Sequence, residues 1–404
     1  MKAPPRSRLA LLHYTAPPQT GGVEAILGAH ASLLRRAGHD VRVIAGRGRA
    51  ELVPEVDSRH PAVERVARQL AEGLAATEEF EALRSSLVTR LRPLLEDREV
   101  LIAHNILTMP FNLPLAAALG DLGKPVLAWT HDLAWINPRY AEYRREGWPY
   151  SILCRAQPGT TYVAISRTRR REICGLMGLA PRAVPVIPNG VDAEALWGLS
   201  PLTRRLAARG GFASADPLVL VPVRLTRRKR IELALEAAAL LADRRPGLRL
   251  VVSGPLGPHS ADNRAYWDDL RRLRQRLGLD RVVCFLHELG PPEGAHPVNE
   301  RSIAELYRMA DAVLLPSESE GFGLPLLEAA LCRTPLVCAD LPVLREIPGG
   351  AHLFPANAAP EEVARILETA LRGRAARAKR EVARRYSWAA VAGAIEQTLG
   401  AAVG

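Results

Sequence analysis

The sequence predicts an α/β protein built from two domains, each with a parallel sheet covered by helices. The chain has 404 residues, which is too long for one ordinary core and suits two domains of roughly 150–200 residues. Short apolar segments alternate with helical patterns, pause after Asp192 and resume at Leu218. These segments are continuously apolar, as is typical of strands whose two faces are both covered by helices.

The first half of the chain opens with a strand–loop–helix–strand unit. The apolar run 8–14 predicts a strand, and the Gly/Pro-rich segment 17–24 predicts a turn. Residues 25–37 have helical spacing and end before Gly38, a residue type common just beyond a helix. A strand at 41–45 completes the unit, which implies a parallel sheet. Further strands are predicted at 100–104, 125–129 and 161–165, and further helices at 61–96, at 110–119 and from Arg167.

A change of composition separates the two halves. Residues 193–215 are rich in Ala, Gly, Ser and Arg without a clear strand, so the domain linker is predicted near 194–214. The second half is predicted to have strands at 218–224, 248–254, 282–286, 312–315, 335–339 and 352–354, and helices at 231–241, 263–277, 302–309, 324–332, 360–371, 374–385 and 388–399. We therefore predict domains at 1–200 and 201–385, followed by a helical segment at 386–404. Because ligands in open α/β sheets lie at the carboxyl ends of the strands, a site is expected in a cleft between the two domains.

The composition narrows the functional classes. Hydrophobic residues make up 48% and charged residues 24%, which is globular, and the net charge is +11. This charge favours anionic partners such as phosphate-bearing ligands or an acidic membrane surface; a generally Arg-rich proteome would also produce it. Aromatic residues are only 5% and no basic tract is interleaved with them, which argues against nucleic-acid binding. The five cysteines include no CxxC pair, so neither a disulfide framework nor a zinc site is expected.

No apolar run approaches the roughly 18 residues of a membrane-spanning helix, and the apolar run near the N-terminus is too short for a signal peptide. A cytoplasmic protein is expected, with peripheral contact to a membrane surface left open.

Two acids flank a glycine loop where a predicted strand meets a helix. Gly321 and Gly323 allow the backbone to approach a ligand, and the helix N-terminus that follows favours a phosphate. Glu328 lies one turn into this helix. Because an ionised carboxylate would repel a phosphate, its better partner is a neutral vicinal diol such as a ribose, while Glu320 in the loop would contact hydroxyls at the other end of the ligand. Alternatively, both acids merely stabilise the start of a helix.

A cationic cluster follows the first strand of the second half. Residues 224–230 read RLTRRKR, directly after an apolar strand. Arg offers a planar fork and Lys a point charge, and both suit a diphosphate at the carboxyl end of a strand. In isolation the same residues could be a solvated charged face.

Taken in order along the chain, these motifs resemble the family 4 retaining glycosyltransferases of GT-B fold. Glu320 to Glu328 matches the Glu-x7-Glu motif of that family, and Arg224 with Lys229 matches its diphosphate-binding pair. Three further segments match its glycine loop, the signature closing its first domain and the segment before its last helix: 20–24, 187–192 and 386–388. The resemblance covers most of the chain and implies two Rossmann-like domains facing across a cleft, with a C-terminal helix that packs back on the first domain.

The resemblance also assigns residue roles. It implies that Glu328 binds the ribose of a nucleotide sugar, that Arg224 and Lys229 bind its pyrophosphate, and that Glu320 binds the donor sugar. His131 would be the cleft histidine near the reacting sugar; taken alone, such a histidine is more often structural. The donor-binding set is Gly21, Gly22, Arg224, Lys229, Leu286, His287, Glu320, Gly321, Phe322, Gly323, Leu324 and Glu328, with the base near Leu286 and His287. The catalytic set is His131, Arg224, Lys229 and Glu320.

Residues at two other strand ends are candidates for the acceptor side. They are His104, Asn105, Trp129 and Asp132; a hydrogen-bonded structural pair of His104 with Asn105 and an ordinary aromatic core at Trp129 are the alternatives. The loop 253–259, after another strand, is expected to add to the nucleotide side.

The predicted activity is transfer of a hexose from a nucleoside diphosphate sugar, UDP-glucose or GDP-mannose, to an acceptor hydroxyl. Retention follows from the resemblance alone. Because no DxD-type dyad stands beside a strand end, transfer without a metal is expected. No tightly bound cofactor is expected, and the nucleotide sugar is a substrate. The positive charge favours an anionic acceptor, either a small molecule or a lipid head group; the oligomeric state is open. Two alternatives share this architecture: a nucleotide-sugar epimerase and a non-catalytic nucleotide-sugar binding protein.

Overall fold

The computed structural model describes residues 7–18, 21–73, 77–256, 261–290, 298–345 and 350–403. The chain forms two units: Met1–Gly190 together with Trp388–Gly404, and Val191–Ser387. Within the described residues, each unit contains a six-stranded parallel sheet with helices. The two α/β domains predicted from the sequence are confirmed, whereas the predicted cleft between them stays a prediction.

The described part of the first unit carries strands β1 to β6 and six α-helices. Its strands are β1 Arg8–Leu12, β2 Asp40–Ala45, β3 Glu51–Leu52, β4 Val100–His104, β5 Val126–Thr130 and β6 Thr160–Ala164. Its helices are α1 Gly22–Arg36, α2 Pro61–Ala71, α3 Glu78–Leu95, α4 Leu113–Asp121, α5 Arg167–Met177 and, from the end of the chain, α15 Trp388–Val403.

The second unit repeats this construction. Its strands are β7 Leu218–Val221, β8 Arg249–Val252, β9 Val283–Phe285, β10 Ala312–Leu315, β11 Leu336–Ala339 and β12 His352–Phe354. Its helices are α6 Ala193–Leu196, α7 Pro201–Gly210, α8 Ile231–Ala242, α9 Ala261–Arg276, α10 Glu300–Met309, α11 Leu324–Leu331, α12 Pro342–Arg345, α13 Pro360–Leu371 and α14 Arg374–Arg385.

The two sheets have the same strand order. The first runs β3-β2-β1-β4-β5-β6 and the second β12-β11-β10-β7-β8-β9, so that both follow the 3-2-1-4-5-6 order of a Rossmann fold. The order reverses between β1 and β4 in one unit and between β7 and β10 in the other. Ligands of such sheets bind beside this reversal, at the carboxyl ends of the strands. The loops after β1, β4, β7 and β10 are therefore the places to look for a site.

Helix α15 belongs to the first unit, as predicted. Its buried residues Val391, Ile395 and Leu399 join an apolar cluster with residues of α1, β1 and β4. A Cβ added to Gly190 would lie 2.4 Å from the Trp388 ring, so the backbone before the second unit passes directly against the start of α15. The Trp388 ring thus leaves no room for a side chain at position 190.

Two predicted elements are corrected. The single helix expected at 61–96 is two helices, because α2 ends at Ala71 and α3 begins anew at Glu78, where the Thr77 hydroxyl accepts a hydrogen bond from Phe80 N at 3.2 Å. The linker expected near 194–214 contains helices α6 and α7 instead. Both helices are capped, by the side chains of Asp192 and Ser200, which explains why a segment without apolar periodicity is ordered.

Among the described residues, no helix combines the length and the apolar character needed to cross a membrane.

Candidate active site

The loop after β10 leads into α11 through a glycine in the left-handed region. Gly323 has φ +96° and occupies the N-cap position of α11, where no side chain caps the helix. Other residues rarely adopt this conformation, which explains the glycine. The first amide groups of α11 have no capping side chain, and a helix N-terminus of this kind favours negative charge. Phe322 and Leu324 on either side are exposed.

The turn after β7 is tied to this same loop. Lys229 precedes α8, and its Nζ lies 2.5 Å from Glu320 Oε1, with both side chains about nine-tenths buried. Arg228 donates from Nη1 to Ser319 O at 3.2 Å, and Glu318 N donates to Arg228 O at 3.0 Å. The two predicted motifs, 91 residues apart in sequence, therefore meet at the strand-order reversal. The direct ion pair between Lys229 and Glu320 was not predicted from the sequence.

A cavity of about 950 Å³ opens beside these loops within the second unit. Arg224 and Glu328 both line it, whereas Lys229 and Glu320 do not. Arg224 is exposed, and its guanidinium has no hydrogen bond or ion pair within the described part of the chain. A free cation and a carboxylate thus share one cavity, which can bind a ligand that carries both an anionic and a hydroxyl-bearing part.

The rest of the cavity lining comes from the carboxyl ends of β7 and β8, from α10 with the two residues before it, and from α11 with the residue after it. It consists of Pro222, Val223, Ser253, Gly254, Pro255, Val298, Asn299, Glu300, Ile303, Ala304, Tyr307, Leu324, Pro325, Leu331 and Cys332. Ser253 to Pro255 belong to the loop predicted to add to the nucleotide side; residues 257–260, which include the end of that loop, lie outside the described residues. Tyr307 was missed by sequence reasoning, since it looks like one more apolar position of an amphipathic helix.

Leu286 and His287, the residues predicted near the base, do not line this cavity. Leu286 is fully buried in the core of the second unit, so its side chain cannot contact a ligand, and this prediction is corrected for the side chain. The His287 ring packs edge-on against Trp267 with centroids 5.6 Å apart.

A second, strongly polar cavity of about 540 Å³ lies in the first unit. Three predicted residues line it: Gly22 at the start of α1, Asn105 after β4 and Asp132 after β5. Asn105 organises this edge, because its Oδ1 accepts from His131 N at 3.1 Å and from Asp132 N at 3.0 Å. Gly21, the N-cap residue of α1, is exposed.

Several charged residues that the sequence analysis did not select complete this cavity. Glu24 accepts a hydrogen bond from Thr15 Oγ1 at 2.6 Å. Arg47 lies 3.4 Å from Asp57, whereas the exposed Arg59 makes no ion pair among the described residues. The guanidinium of Arg169 lies 3.8 Å from the Asp132 carboxylate. Among the described cations that line this cavity, Arg59 is therefore the one without a paired carboxylate.

Four buried histidines lie close together in the first unit, and one of them, His13, lines that cavity. His104 Nδ1 is 3.3 Å from His131 Nε2, and His13 Nδ1 is 2.8 Å from His104 O. The fourth, His30, is packed against Trp129 with ring centroids 4.6 Å apart. Both nitrogens of His30 and Nε2 of His104 lack a hydrogen-bond partner within the described residues.

Burial keeps these rings neutral. It lowers the pKa of His131 to about 4 and that of His30 to about 3, and holds the pKa of His104 far below its usual range. His131 is therefore a neutral hydrogen-bonding group at pH 7. Trp129 is buried as well, at 1% exposure, which corrects its predicted place on the acceptor side: it is a core residue stacked on His104.

No group of three or more His, Cys, Asp or Glu side chains in the described ranges is arranged to hold a metal ion.

Two family models match the chain, one on each unit. Residues 20–195 match the model "Glycosyltransferase Family 4", and residues 204–387 match "Glycosyl transferases group 1". The first match contains Gly21, Gly22 and His131, and the second contains Arg224, Lys229 and both predicted glutamates.

Curated relatives share parts of the chain. A D-inositol 3-phosphate glycosyltransferase of Actinosynnema mirum is 40% identical over 174 residues, which is 42% of this chain and 38% of that protein. Another protein of that name, from Saccharomonospora viridis, is 35% identical over 231 residues, 54% of this chain and 50% of its own length. The chain thus matches half or less of the length of these relatives.

Among solved structures, Anabaena Alr3699/HepE in complex with UDP and glucose is 18% identical, covering 98% of this chain and 100% of its own, with a TM-score of 0.36.

The two family models together span most of the chain. Three of the motifs that carry the resemblance, 20–24, 224–229 and 320–328, follow the strands β1, β7 and β10 at the strand-order reversals of two Rossmann-like units. The chain belongs to family 4 of the glycosyltransferases, of GT-B type.

Proposed function

We propose that the chain transfers a hexose from a nucleoside diphosphate sugar to a hydroxyl group of a small acceptor. One observation carries this proposal: Arg224, Glu328 and the Lys229–Glu320 pair come together at the carboxyl ends of β7 and β10. A nucleoside diphosphate sugar presents a ribose diol, two phosphates and sugar hydroxyls, which these groups complement. UDP-glucose and GDP-mannose are the donors to test first.

Each side chain has a role in the proposed reaction. Glu328 accepts from the ribose hydroxyls, and Arg224, whose guanidinium has no partner among the described residues, binds the diphosphate together with the Leu324 amide at the start of α11. The next two positions of the helix offer no amide, because Pro325 has no N–H and Leu326 N already donates to Gly323 O. Lys229 adds a second cation, held in place by Glu320, whose other carboxylate oxygen is left for the donor sugar. Bond cleavage leaves negative charge on the diphosphate, so cations fixed in advance lower the barrier.

The stereochemistry and the absence of a metal requirement are part of the same proposal. In retaining hydrolases a carboxylate attacks the anomeric carbon, but Glu320 is already paired with Lys229. We propose that the acceptor attacks from the face that the diphosphate leaves, while a leaving phosphate oxygen takes the acceptor proton. In this scheme Arg224 and Lys229 supply the positive charge that a metal ion provides in other transferases. The neutral His131 would hydrogen-bond the reacting sugar.

The polar cavity of the first unit supports a particular kind of acceptor. Its carboxylates suit hydroxyl groups, while the unpaired guanidinium of Arg59 suits a single acidic group. A polyol with one phosphate or carboxylate has this pattern. Because the relatives named above are D-inositol 3-phosphate glycosyltransferases, a phosphorylated cyclitol is the first acceptor to test. A lipid head group of the same chemistry is the second.

Product analysis tests the proposal. Thermal-shift measurements with UDP, GDP and ADP would identify the nucleotide, and the matching donor would then be incubated with phosphorylated polyols, with their neutral analogues and with water. Transfer yields the nucleoside diphosphate and a glycoside. An isomerised donor would instead indicate an epimerase, and tight donor binding without any release of diphosphate would indicate a binding protein. Either of the last two outcomes would refute the proposed transfer.

A matched pair of variants checks the site. Arg224→Ala should abolish most turnover because it removes a cation from the leaving diphosphate. Arg281→Ala, which removes another exposed arginine of the same unit outside the cavity lining, should leave turnover unchanged.

A further inference from the structure

Tyr307 carries a buried hydroxyl that no described residue satisfies. The residue lies on α10 and is only 1% exposed, and its hydroxyl oxygen has no hydrogen-bond partner in the described ranges. Its ring belongs to the core of the second unit. Burying a hydroxyl without a partner is unfavourable, and a phenylalanine would fill the same space without this cost. The hydroxyl therefore calls for an explanation other than packing.

The same residue lines the donor cavity beside Glu328. Both Tyr307, on α10, and Glu328, on α11, contribute to the lining. Burial raises the pKa of Tyr307, and a weak hydrogen-bonding interaction with the nearby Glu328 carboxylate and the charge of that carboxylate raise it further. The two groups are thus close to each other, but they do not meet the geometry of an ordinary hydrogen bond. The phenol thus stays protonated and is available as a donor. Glu328 is exposed, so its carboxylate can adjust its position.

We propose that the Tyr307 hydroxyl positions Glu328 for the ribose: it donates a hydrogen bond to the Glu328 carboxylate when that carboxylate accepts from the ribose hydroxyls. The inference rests on the proposed function, because it presupposes a nucleotide in this cavity. A carboxylate has about four acceptor positions, so two ribose hydroxyls and one tyrosine can be accommodated together. Fixing one oxygen from α10 orients the other toward the diol.

This role makes two predictions of opposite sign. Tyr307→Phe removes an unsatisfied group from the free protein, so its Tm should rise by about 2 °C or more. In the complex, the same change removes a hydrogen bond to a charged group, so a ribonucleoside diphosphate should bind about tenfold more weakly. A 2′,3′-dideoxynucleoside diphosphate has no diol to position, and its affinity should change less than twofold.

Tyr266→Phe is the matched control. Tyr266 is a buried tyrosine of the same unit, but its hydroxyl is partnered, accepting from Ile231 N at 2.8 Å and bonding to Glu232. Its removal should lower the Tm and leave the ratio of ribo- to dideoxynucleotide affinity unchanged.

Two measurements on the full chain test this role. Calorimetric titration gives the affinities for both nucleotides, and thermal unfolding without ligand gives the Tm. Selective loss of ribonucleotide affinity together with a raised Tm supports the inference. Equal affinities of wild type and Tyr307→Phe for the ribonucleotide, or equal losses for both nucleotides, would overturn it. If the wild type binds no nucleoside diphosphate at all, the proposed function fails first, and the role of Tyr307 fails with it.

Discussion

Separating the two charges of the Lys229–Glu320 pair is the most direct test of the site. Glu320→Gln leaves the lysine almost fully buried without a counter-charge, and Lys229→Met does the same to the glutamate. The double variant removes both charges while keeping side chains of similar volume. Comparing the three variants with the wild type gives a double-mutant cycle for this pair.

The magnitude follows from the geometry. The nitrogen–oxygen distance is 2.5 Å and the side chains are 10% and 8% exposed, so most solvent screening is lost. Removing one partner of a buried pair typically costs 3–5 kcal/mol; because these groups retain some exposure, we expect about 2–3 kcal/mol for each single variant. The double variant should lose about 1–2 kcal/mol of unfolding free energy, clearly less than the sum of the two single losses.

Urea unfolding of the free protein measures these free energies, and nucleotide titration adds a second readout. Because Glu320→Gln frees the lysine from its partner, the nucleoside diphosphate should bind at least as tightly to this variant as to the wild type. Lys229→Met should bind it more weakly. Single variants as stable as the wild type, or losses that simply add in the double variant, would show that the pair is not coupled as described.

Three further predictions concern other parts of the molecule. Glu328→Ala should raise the donor KM about tenfold or more with a smaller effect on kcat, whereas Arg224→Ala should mainly lower kcat; steady-state kinetics would reveal the opposite pattern. Because the folded-state pKa of His30 is about 3, below the unfolded value of 6.5, the unfolded chain binds more protons below pH 6.5, and stability should fall with falling pH, by about 2 kcal/mol at pH 5 from this ring alone. Urea unfolding at pH 7.5 and pH 5.0 checks this, and His30→Phe should reduce the difference. Gly190→Ala should lower the Tm by several degrees, since the added Cβ would lie 2.4 Å from the Trp388 ring; an unchanged Tm would show that this contact can relax at no cost.

Much of the fold could be predicted because its signals are local. Continuous apolar strands of four or five residues, each followed by a helical pattern, are readable one at a time. The motif around Glu328 was informative for the same reason: the strand, glycines, helix start and acid lie within a short stretch. The split between α2 and α3 was missed because both halves share the same apolar spacing and only Thr77, a capping residue, marks the new start.

Side chains that meet only through the sheet order could not be predicted. Arg59 and His30 lie far from His104 and Asp132 in sequence, and no motif in their own neighbourhoods marks them. They come together because parallel strands deliver their carboxyl ends to one edge. Tyr307 was harder still to predict from the sequence. What distinguishes it from other aromatic residues of a helix is its burial and its hydroxyl without a partner among the described residues, and both are visible only in the structure.

The assignment of α15 to the first unit has a consequence for the order of synthesis. Residues 191–387 are translated before the helix that completes the core of the first unit, and this segment closes on itself where Val191 N bonds Tyr386 O at 2.7 Å. Since α15 contributes Val391, Ile395 and Leu399 to that core, the first 190 residues leave the ribosome with an apolar face uncovered. The second unit, although it begins later, is the first whose residues are all available, so the earlier-made half of the protein is the last to finish folding.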